Sequence, residues 1–263
     1  MKYGFIGCGN MGGAIARTLS NSTKDIMLSG YHPEKAAQLA NELGCQSGDN
    51  ETVLSNCERI FLAVKPQVMA DVLAPLKSLF AEKKPLVITM AAGITVARIT
   101  ELLGTDLPII RIMPNTPVAV GSGMVLYCRN DLVDAETLSD FLTDVAPCGQ
   151  WDLLDEALID AAGVVSGCGP AYMYMFMNAL ADGAEACGVP KEKALNYAAA
   201  TMIGAAKMVQ QTGIDPITLK NNVCSPGGST LAGVKALDDG QFTETVIKCV
   251  DAAYKRNQEL GKN

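Results

Sequence analysis

Three glycines near the N-terminus have the spacing of a phosphate-binding loop. Gly7, Gly9 and Gly12 form a G-x-G-x-x-G pattern between a short apolar run and a helix-forming segment. In such a loop the first glycine permits the tight turn, the second leaves room for a pyrophosphate, and the third lets helix and strand pack closely. The free amide groups at the helix N-terminus then attract the phosphates. The pattern predicts a dinucleotide site.

The segment after the second predicted strand lacks the acid that selects NAD. An Asp or Glu near the end of this strand usually binds the ribose hydroxyls. This chain instead has hydrogen-bond donors there, which are Ser29, Tyr31, His32 and Lys35. Because these groups could donate hydrogen bonds to a 2′-phosphate, we expect NADPH to be the preferred cofactor and NADH the second choice. Glu34 weakens this argument slightly.

No histidine is available for proton transfer beside a nicotinamide. His32 is the only histidine, and its position predicts a surface residue at the adenosine end. Alcohol-type dehydrogenases need a His, Lys or Tyr acid at the reacting carbon. A protonated C=N bond already carries the charge that attracts a hydride, so an imine substrate is favoured. Lys193 and Asn196 have the K-x-x-N spacing of some hydroxyacid dehydrogenases, but we expect both to face solvent.

A second glycine-rich segment runs from Ser225 to Thr230, before a predicted helix. Backbone N–H groups in such a turn bind anions, and its three hydroxyl groups add donors. The alternative is a helix–helix turn with one capping hydroxyl. Three hydroxyls and two glycines favour a small carboxylate. No arginine before Arg256 in the second half of the chain competes for that role.

The elements that position these residues alternate between strand and helix in the first half of the chain. Strands are predicted at 3–6, 25–29, 60–64, 86–90, 108–113, 123–129 and 149–153, with helices between them. This alternation indicates an α/β, doubly wound parallel sheet of the Rossmann type. From Asp155 only helical stretches follow. We therefore predict a dinucleotide-binding domain at 1–153 and an all-α domain at 154–263.

Composition excludes several classes of function. A net charge of −7 makes nucleic acid an improbable partner. Nine scattered cysteines without a C-x-x-C pair, and one histidine, predict no metal site and a cytoplasmic, reducing location. The N-terminus starts with a strand and glycine loop and does not resemble a signal peptide. The uncharged run 161–181 contains Pro170 and predicts buried or partner-packed helices, hence self-association, and no membrane span.

Five motifs together resemble the pyrroline-5-carboxylate reductase family, and the resemblance runs from the first strand to the last helix. They are Gly7 to Gly12, Ala63 to Pro66, Met113 to Pro117, Ser166 to Tyr172 and Val223 to Thr230. Cys168 stands where a serine is common, and Cys224 where a serine or threonine is common. Both are nearly isosteric replacements.

The resemblance implies a Rossmann domain, a helical domain that forms dimers and often decamers, and reduction of Δ1-pyrroline-5-carboxylate to L-proline. Asn50 would approach the adenosine ribose. The expected cofactor-binding residues are Gly7, Cys8, Gly9, Asn10, Met11, Gly12, Ser29, Tyr31, His32, Asn50, Ala63, Val64, Lys65, Pro66, Met90, Ala91, Ala92 and Asn115. The expected substrate-binding residues are Ser225, Gly227, Gly228, Ser229 and Thr230, with Thr230 as the catalytic candidate.

Two other functions stay open on the sequence. A 3-hydroxyacid dehydrogenase would share the N-terminal fold but would place Lys193 and Asn196 in its site. A non-catalytic dinucleotide sensor would bind the cofactor and leave every imine unreduced.

Overall fold

A computed structural model describes residues Met1–Leu260, so the last three residues of the predicted second domain, 261–263, lie outside the described residues. The chain divides into two compact units. The sheet unit comprises Met1–Pro170 together with the C-terminal residues from Ala253, and the helical unit comprises Ala171–Ala252.

The sheet unit is built on eight strands. They are β1 (Tyr3–Ile6), β2 (Ile26–Ser29), β3 (Gln46–Ser47), β4 (Arg59–Leu62), β5 (Leu86–Thr89), β6 (Ile109–Met113), β7 (Gly123–Arg129) and β8 (Gly149–Leu153). Their order in the sheet is β3-β2-β1-β4-β5-β6-β7-β8. The order reverses direction between β1 and β4, and ligands of such sheets bind at that point, beyond the carboxyl ends of the strands.

Helices cover both faces of the sheet because successive strand residues point to opposite sides. The sheet unit contains α1 (Asn10–Leu19), α2 (Pro33–Leu43), α3 (Asn50–Asn56), α4 (Met69–Leu73), α5 (Lys77–Lys83), α6 (Val96–Leu103), α7 (Ala135–Val145) and α8 (Glu156–Ser166). Phe5 and Phe61 stack in the core that includes residues of α1, α2 and α7, with ring centroids 4.4 Å apart. Ile60 and Leu62 belong to a separate core that includes residues of α3 to α6.

The sequence analysis predicted a parallel sheet, but the sheet contains one antiparallel pair of strands. The first six strands are parallel, whereas β7 is antiparallel to β6 and β8 is parallel to β7. Only a 3-10 turn at Thr116–Val120 lies between β6 and β7. A parallel return needs a crossover of a dozen or more residues, so this short connection forces the strand to reverse.

Local differences from the predicted elements have simple causes. The short edge strand β3 was not predicted, because two residues carry no periodic signal. The single helix expected from Pro66 to Phe80 is split into α4, α5 and 3-10 turns at Pro66–Val68 and Ala74–Leu76. Pro75 lacks an N–H group and its ring clashes with the preceding turn, which interrupts the helix.

The remaining helices are α9 (Gly169–Ala186), α10 (Lys191–Thr212), α11 (Pro216–Val223), α12 (Ser229–Asp239) and α13 (Phe242–Leu260). The sequence analysis did not predict α11, a short helix in which Asp215 caps the N-terminus by accepting the Thr218 N–H. Among the described residues, no helix is long and apolar enough to cross a membrane. The helical run 161–181 is interrupted between α8 and α9.

The last strand and the first compact unit end at different residues, Leu153 and Pro170. The strands end at Leu153, the expected boundary, but α8 packs on β7 and belongs to the sheet unit. Arg111 on β6 explains this placement, because its buried guanidinium pairs with Glu156 and Asp160 of α8 at 3.2 and 2.7 Å. A buried arginine is tolerated only with such partners.

Candidate dinucleotide site and anion-binding turn

The glycine loop joins β1 to α1 with the geometry that its spacing predicts. Gly7 has φ +102°, a conformation that residues with a side chain rarely adopt. A Cβ on Gly12 would lie 2.4 Å from the Gly7 carbonyl oxygen and 2.8 Å from Ala63 Cβ. The loop is therefore packed against the Ala63 segment at the end of β4. A side chain at either glycine would clash with neighbouring backbone atoms.

Gly9 faces open space, in contrast to Gly7 and Gly12. A Cβ built on Gly9 would meet no atom within 4 Å. Gly9 is also the N-cap residue of α1, makes no side-chain cap bond, and precedes a first turn without acidic residues. The amide groups of this turn are thus open to an anion, and the cradle fits the pyrophosphate of a dinucleotide.

Cys8 lies in the loop beside Gly30, which follows β2. A Cβ on Gly30 would lie 2.8 Å from the Cys8 sulfur. Burial raises the pKa of the Cys8 thiol, so it stays neutral and adds no negative charge to the loop. Any acid introduced at Gly30 would first have to displace this side chain.

The predicted adenosine-side residues fall into two groups. Tyr31 is 94% exposed and its ring contacts the His32 ring edge-on, and both residues are on the surface. Ser29 is 1% exposed, and its hydroxyl lies 3.0 Å from the Phe5 carbonyl oxygen and 2.6 Å from Asn50 Oδ1. The sequence analysis expected Ser29 to donate to a phosphate, but its buried hydroxyl is engaged by these two oxygens. Direct donation is therefore not supported in this conformation.

The segments after β4, β5 and β6 form the rest of the rim. Asn10, Val64, Met90 and Ala92 are exposed or half-buried, Lys65 is exposed, and Ala91 is buried. Asn115 is 7% exposed, donates to the Ser166 carbonyl at 2.9 Å and accepts the Met124 N–H at 3.0 Å. Its side chain thus holds the loop after β6 against α8 and β7 and is not available for the expected cofactor contact.

Sequence reasoning missed a charge cluster around the buried Arg111, formed with the partly exposed Glu156 and Asp160. Glu156 Oε1 accepts the Val96 N–H at 2.8 Å and also pairs with Arg111. It therefore links the start of α6 to β6 and α8. One signal was present in the sequence: Arg111 is a lone charge inside an otherwise apolar strand, a pattern that indicates a buried ion pair.

The second glycine-rich segment forms a turn between α11 and α12. Gly227 has φ +73°, and the Gly228 N–H donates to the Ser225 carbonyl at 3.0 Å. Gly228 is the N-cap residue of α12 and, having no side chain, makes no cap bond. Among the described residues no hydrogen-bond partner is found for the hydroxyls of Ser225, Ser229 or Thr230. These observations favour the anion-binding interpretation over the alternative of a hydroxyl-capped helix.

The residues on which the other interpretations depend are not gathered into a site. Lys193 and Asn196 are exposed on α10, as the sequence analysis expected. Among the described residues there is no group of three or more His, Cys, Asp or Glu side chains that could hold a metal ion.

Comparisons with known proteins agree with this geometry. Residues 156–260 match the family model described as pyrroline-5-carboxylate reductase dimerisation, and residues 2–93 match the one described as NADP oxidoreductase, coenzyme F420-dependent. Pyrroline-5-carboxylate reductase of Escherichia coli is 38% identical, and the similarity covers 100% of this chain and 99% of that protein.

Two solved structures show the same fold along the chain. Pyrroline carboxylate reductase of Plasmodium falciparum, with NADP bound, has 30% identity, a TM-score of 0.89 and 99% coverage of both chains. The pyrroline-5-carboxylate reductase of Coxiella burnetii has 33% identity, a TM-score of 0.88 and 98% coverage of both chains. The predicted fold class, a Rossmann-type sheet followed by a helical dimerisation domain, is confirmed.

Proposed function

The chain belongs to the pyrroline-5-carboxylate reductase family, and from this premise we propose that it reduces Δ1-pyrroline-5-carboxylate to L-proline, the last step of proline biosynthesis. The observation that carries the proposal is the turn Ser225 to Thr230, which presents unpartnered hydroxyls and an uncapped helix N-terminus. A small imine with one carboxylate matches such a turn, because the carboxylate is the only charged group by which it can be held.

The sheet unit supplies the cofactor site in this proposal. The pyrophosphate binds at Gly9 and the first turn of α1, whose backbone N–H groups donate to it. The residues after β4 and β5 line the nicotinamide. When bound, NADPH, with NADH as the second choice, supplies the hydride for the C=N bond. The chain's own contribution is to position the two ligands and to bind their charged groups.

The helical unit supplies the substrate site. The backbone amides around Gly227 and Gly228 and the hydroxyls of Ser225 and Ser229 hold the carboxylate. Thr230 lies in the first turn of α12, and its hydroxyl contacts the ring nitrogen and can relay a proton there. We assign no general acid, because His32 lies at the adenosine end and Lys65 is exposed on the rim. The imine enters protonated or takes its proton from solvent or from Thr230.

We also propose that the protein self-associates and that it is located in the cytoplasm. The helical unit forms an obligate homodimer, and the dimers assemble into decamers, as the resemblance implies. Support for the dimer comes from the matching dimerisation model and from the many apolar side chains exposed in this unit. All nine cysteines are free, which supports a reducing, cytoplasmic location.

The test of the substrate site is a set of single substitutions in the turn. Hydrogen bonds to a charged group contribute about 1.5–3 kcal/mol, so Ser225→Ala and Thr230→Ala each weaken substrate binding roughly tenfold to a hundredfold. Gly227→Val, which strains the turn, has at least as large an effect. The KM for NADPH stays unchanged in all three.

Thr243→Ala is the matched control, because Thr243 is the second residue of α13 just as Thr230 is the second residue of α12. Unchanged efficiency toward pyrroline-5-carboxylate in all three turn variants would reduce this segment to a helix connection.

The reaction itself is tested with the purified wild-type protein. We expect oxidation of NADPH that depends on pyrroline-5-carboxylate, and no reduction of NAD(P)+ by 3-hydroxyacids. Oxidation of a hydroxyacid would favour the hydroxyacid dehydrogenase alternative. Cofactor binding without turnover of any cyclic imine would favour the sensor.

A further inference from the structure

The segment between β5 and α6, residues 90–95, is held only weakly by its own backbone. The Met90 N–H donates to the Leu62 carbonyl and the Ile94 N–H donates to the Ala91 carbonyl, and both N···O distances are 3.3 Å. These distances lie beyond the usual range of about 2.7–3.2 Å for N–H···O bonds. In the proposed function this segment lines the nicotinamide, so its position affects hydride transfer.

A carboxylate of α8 fixes the end of this segment. Val96 is the first residue of α6 and directly follows the segment, and its N–H donates to Glu156 Oε1 at 2.8 Å. Hydrogen bonds to a carboxylate are stronger than those to a neutral carbonyl. The positive end of the helix dipole, at the N-terminus of α6, adds to this attraction. Glu156 is therefore a stronger anchor for the segment than either of its 3.3 Å backbone bonds.

The two acids around Arg111 have different closest partners. The Arg111 side chain is 2% exposed, and its guanidinium lies 2.7 Å from Asp160 Oδ1 and 3.2 Å from Glu156 Oε1. One carboxylate balances the charge of one guanidinium, and Asp160 is the nearer. Glu156 Oε1 is closer to the Val96 nitrogen than to Arg111. Asp160 thus neutralises Arg111, whereas Glu156, oriented by Arg111, holds Val96.

We infer that Glu156 is a positioning residue for hydride transfer, because it fixes residues 90–95 through the Val96 N–H and thereby places the nicotinamide against the imine carbon. Glu156 acts through the backbone and exchanges no proton with either ligand. The inference rests on the proposed function and deepens it. A displacement of about 1 Å at a reacting centre can lower the rate on the order of a hundredfold, so a loosened anchor affects kcat more than ligand binding.

The first variant, Glu156→Ala, removes the acceptor for the Val96 N–H. We expect the rate of the hydride step, measured by stopped flow at saturating NADPH and pyrroline-5-carboxylate, to fall roughly tenfold to a hundredfold. The dissociation constant for NADP+, measured by calorimetry, rises by less than about threefold, because the phosphates bind at the glycine loop.

The second variant, Glu156→Gln, separates the hydrogen bond from the charge. The glutamine keeps a carbonyl oxygen, and the two donors around it, the Val96 N–H and Arg111, turn this oxygen toward them. We therefore expect the hydride rate to stay within about threefold of the wild type. If Glu156 acted only through its negative charge at the N-terminus of α8, Glu156→Gln would lose as much as Glu156→Ala.

Asp160→Ala is the matched control. It also removes a carboxylate of α8 that pairs with Arg111, and the two acids are similarly exposed, at 35% and 32%. We expect a loss of stability in urea unfolding at least as large as in Glu156→Ala, because the nearer partner of a buried guanidinium is removed. The hydride rate stays within about threefold of the wild type. Asp160→Asn, which keeps an acceptor for Arg111, is the milder form of this control.

Hydrogen exchange at the Val96 amide, followed by mass spectrometry on the free protein, tests the anchor without turnover. Exchange is faster in Glu156→Ala than in the wild type, and Glu156→Gln restores it. Unchanged exchange in Glu156→Ala, equal losses of the hydride rate in Glu156→Ala and the Asp160 variants, or no recovery in Glu156→Gln would each overturn the inference. If the exchange pattern holds but the wild-type protein reduces no pyrroline-5-carboxylate, the proposed reaction fails and the anchoring by Glu156 is retained.

Discussion

The two glycine-rich turns have similar local design but different surroundings. Each has a glycine with positive φ, Gly7 or Gly227, followed by a glycine N-cap of a helix that lacks a side-chain cap. The first turn is enclosed by backbone of its own unit, whereas a Cβ on Gly227 would meet nothing within 4 Å. A nucleotide cradle can therefore be completed within the sheet unit, while the second turn, taken within the helical unit, is open.

The two units also differ in how completely they bury their apolar side chains. The sheet unit has two continuous cores with many fully buried Leu, Ile, Val and Phe side chains. Among residues 171–252, only Ala181, Ala194 and Ala198 are buried, while large apolar side chains such as Met175 and Ile203 are exposed. Exposed apolar surface of this extent marks an interface with a partner. The sheet unit therefore buries its own apolar side chains, whereas the helical unit needs a partner surface to cover its apolar side chains.

The largest expected effect is on the helical unit. A carboxylate left unpaired in an apolar interface costs about 3–5 kcal/mol, so Met175→Glu or Ile203→Glu raises the dimer dissociation constant by roughly two to four orders of magnitude. Sedimentation equilibrium measures the constant, and reductase activity falls with the dimer. Leu132→Glu, an exposed apolar position of the sheet unit, is the control and leaves the mass unchanged. A fully active monomer would contradict the difference between the units.

The second prediction compares substitutions at Gly9, which faces open space, and at Gly12, which is packed against the Gly7 carbonyl. Gly9→Val fills open space, so NADP+ affinity falls on the order of a hundredfold while the free energy of unfolding is unchanged. Gly12→Ala forces its Cβ against the Gly7 carbonyl and lowers the free energy of unfolding by about 1–3 kcal/mol. Calorimetry and urea unfolding measure the two quantities. Equal stability losses in both variants would show that Gly9 is not at an open cradle.

A third, smaller effect concerns the stability of the sheet unit at low pH, which depends on Asp144. Burial acts to raise the pKa of Asp144, but hydrogen bonds from Lys2 and Tyr3, with the charges of Lys2 and Arg59, outweigh it and lower the pKa below 3.8. Because the folded pKa is depressed, this stabilisation is complete above 3.8 and is lost as the pH falls through the folded value. Asp144→Asn lowers the free energy of unfolding by about 1–3 kcal/mol at neutral pH.

The pH dependence distinguishes this ion pair from a general surface effect. In Asp144→Asn the decline of stability below pH 3.8 is shallower than in the wild type. Asp140→Asn is the control, because Asp140 is mostly exposed, lies 3.8 Å from Arg59 and contributes less than about 1 kcal/mol. Parallel acid-unfolding curves for wild type and Asp144→Asn would contradict the prediction.

The smallest effect is expected at Lys65, an exposed cation on the rim that could act as an acid. If the sheet unit acts by positioning the cofactor and by donating backbone hydrogen bonds to it, Lys65→Met changes kcat by less than about threefold. Stopped-flow measurement of the hydride step with saturating ligands provides the check. Loss of turnover with normal affinity for both ligands would mean that the sheet unit also supplies a proton.

Many elements of the fold were predictable because local patterns determine them. The helix Pro33–Leu43 has a proline at its first turn and Gly44 as a left-handed C-cap, and its predicted bounds match the structure. The strands Gly123–Arg129 and Gly149–Leu153 also match. Their direction did not follow from the sequence, since the reversal at β7 depends on how a short connection crosses the end of the sheet.

The candidate site was predictable to the same degree. Spacing identified the glycine loop and the Ser225 to Thr230 turn, because both depend on consecutive residues. Long-range partners were not visible: Ser29 meets Asn50 across 21 positions, and Asn115 is fixed by Ser166. Both side chains therefore have structural contacts that their place at a strand end does not reveal.

The sequence by itself determined the family, the two-part organisation and the positions of both glycine-rich turns, because these depend on residue type and on spacing along the chain. The tertiary structure decided which hydroxyls and amides are free, and it placed α8 with the sheet through Arg111. A donor's availability depends on what else lies within about 3 Å of it, and that neighbourhood exists only after folding.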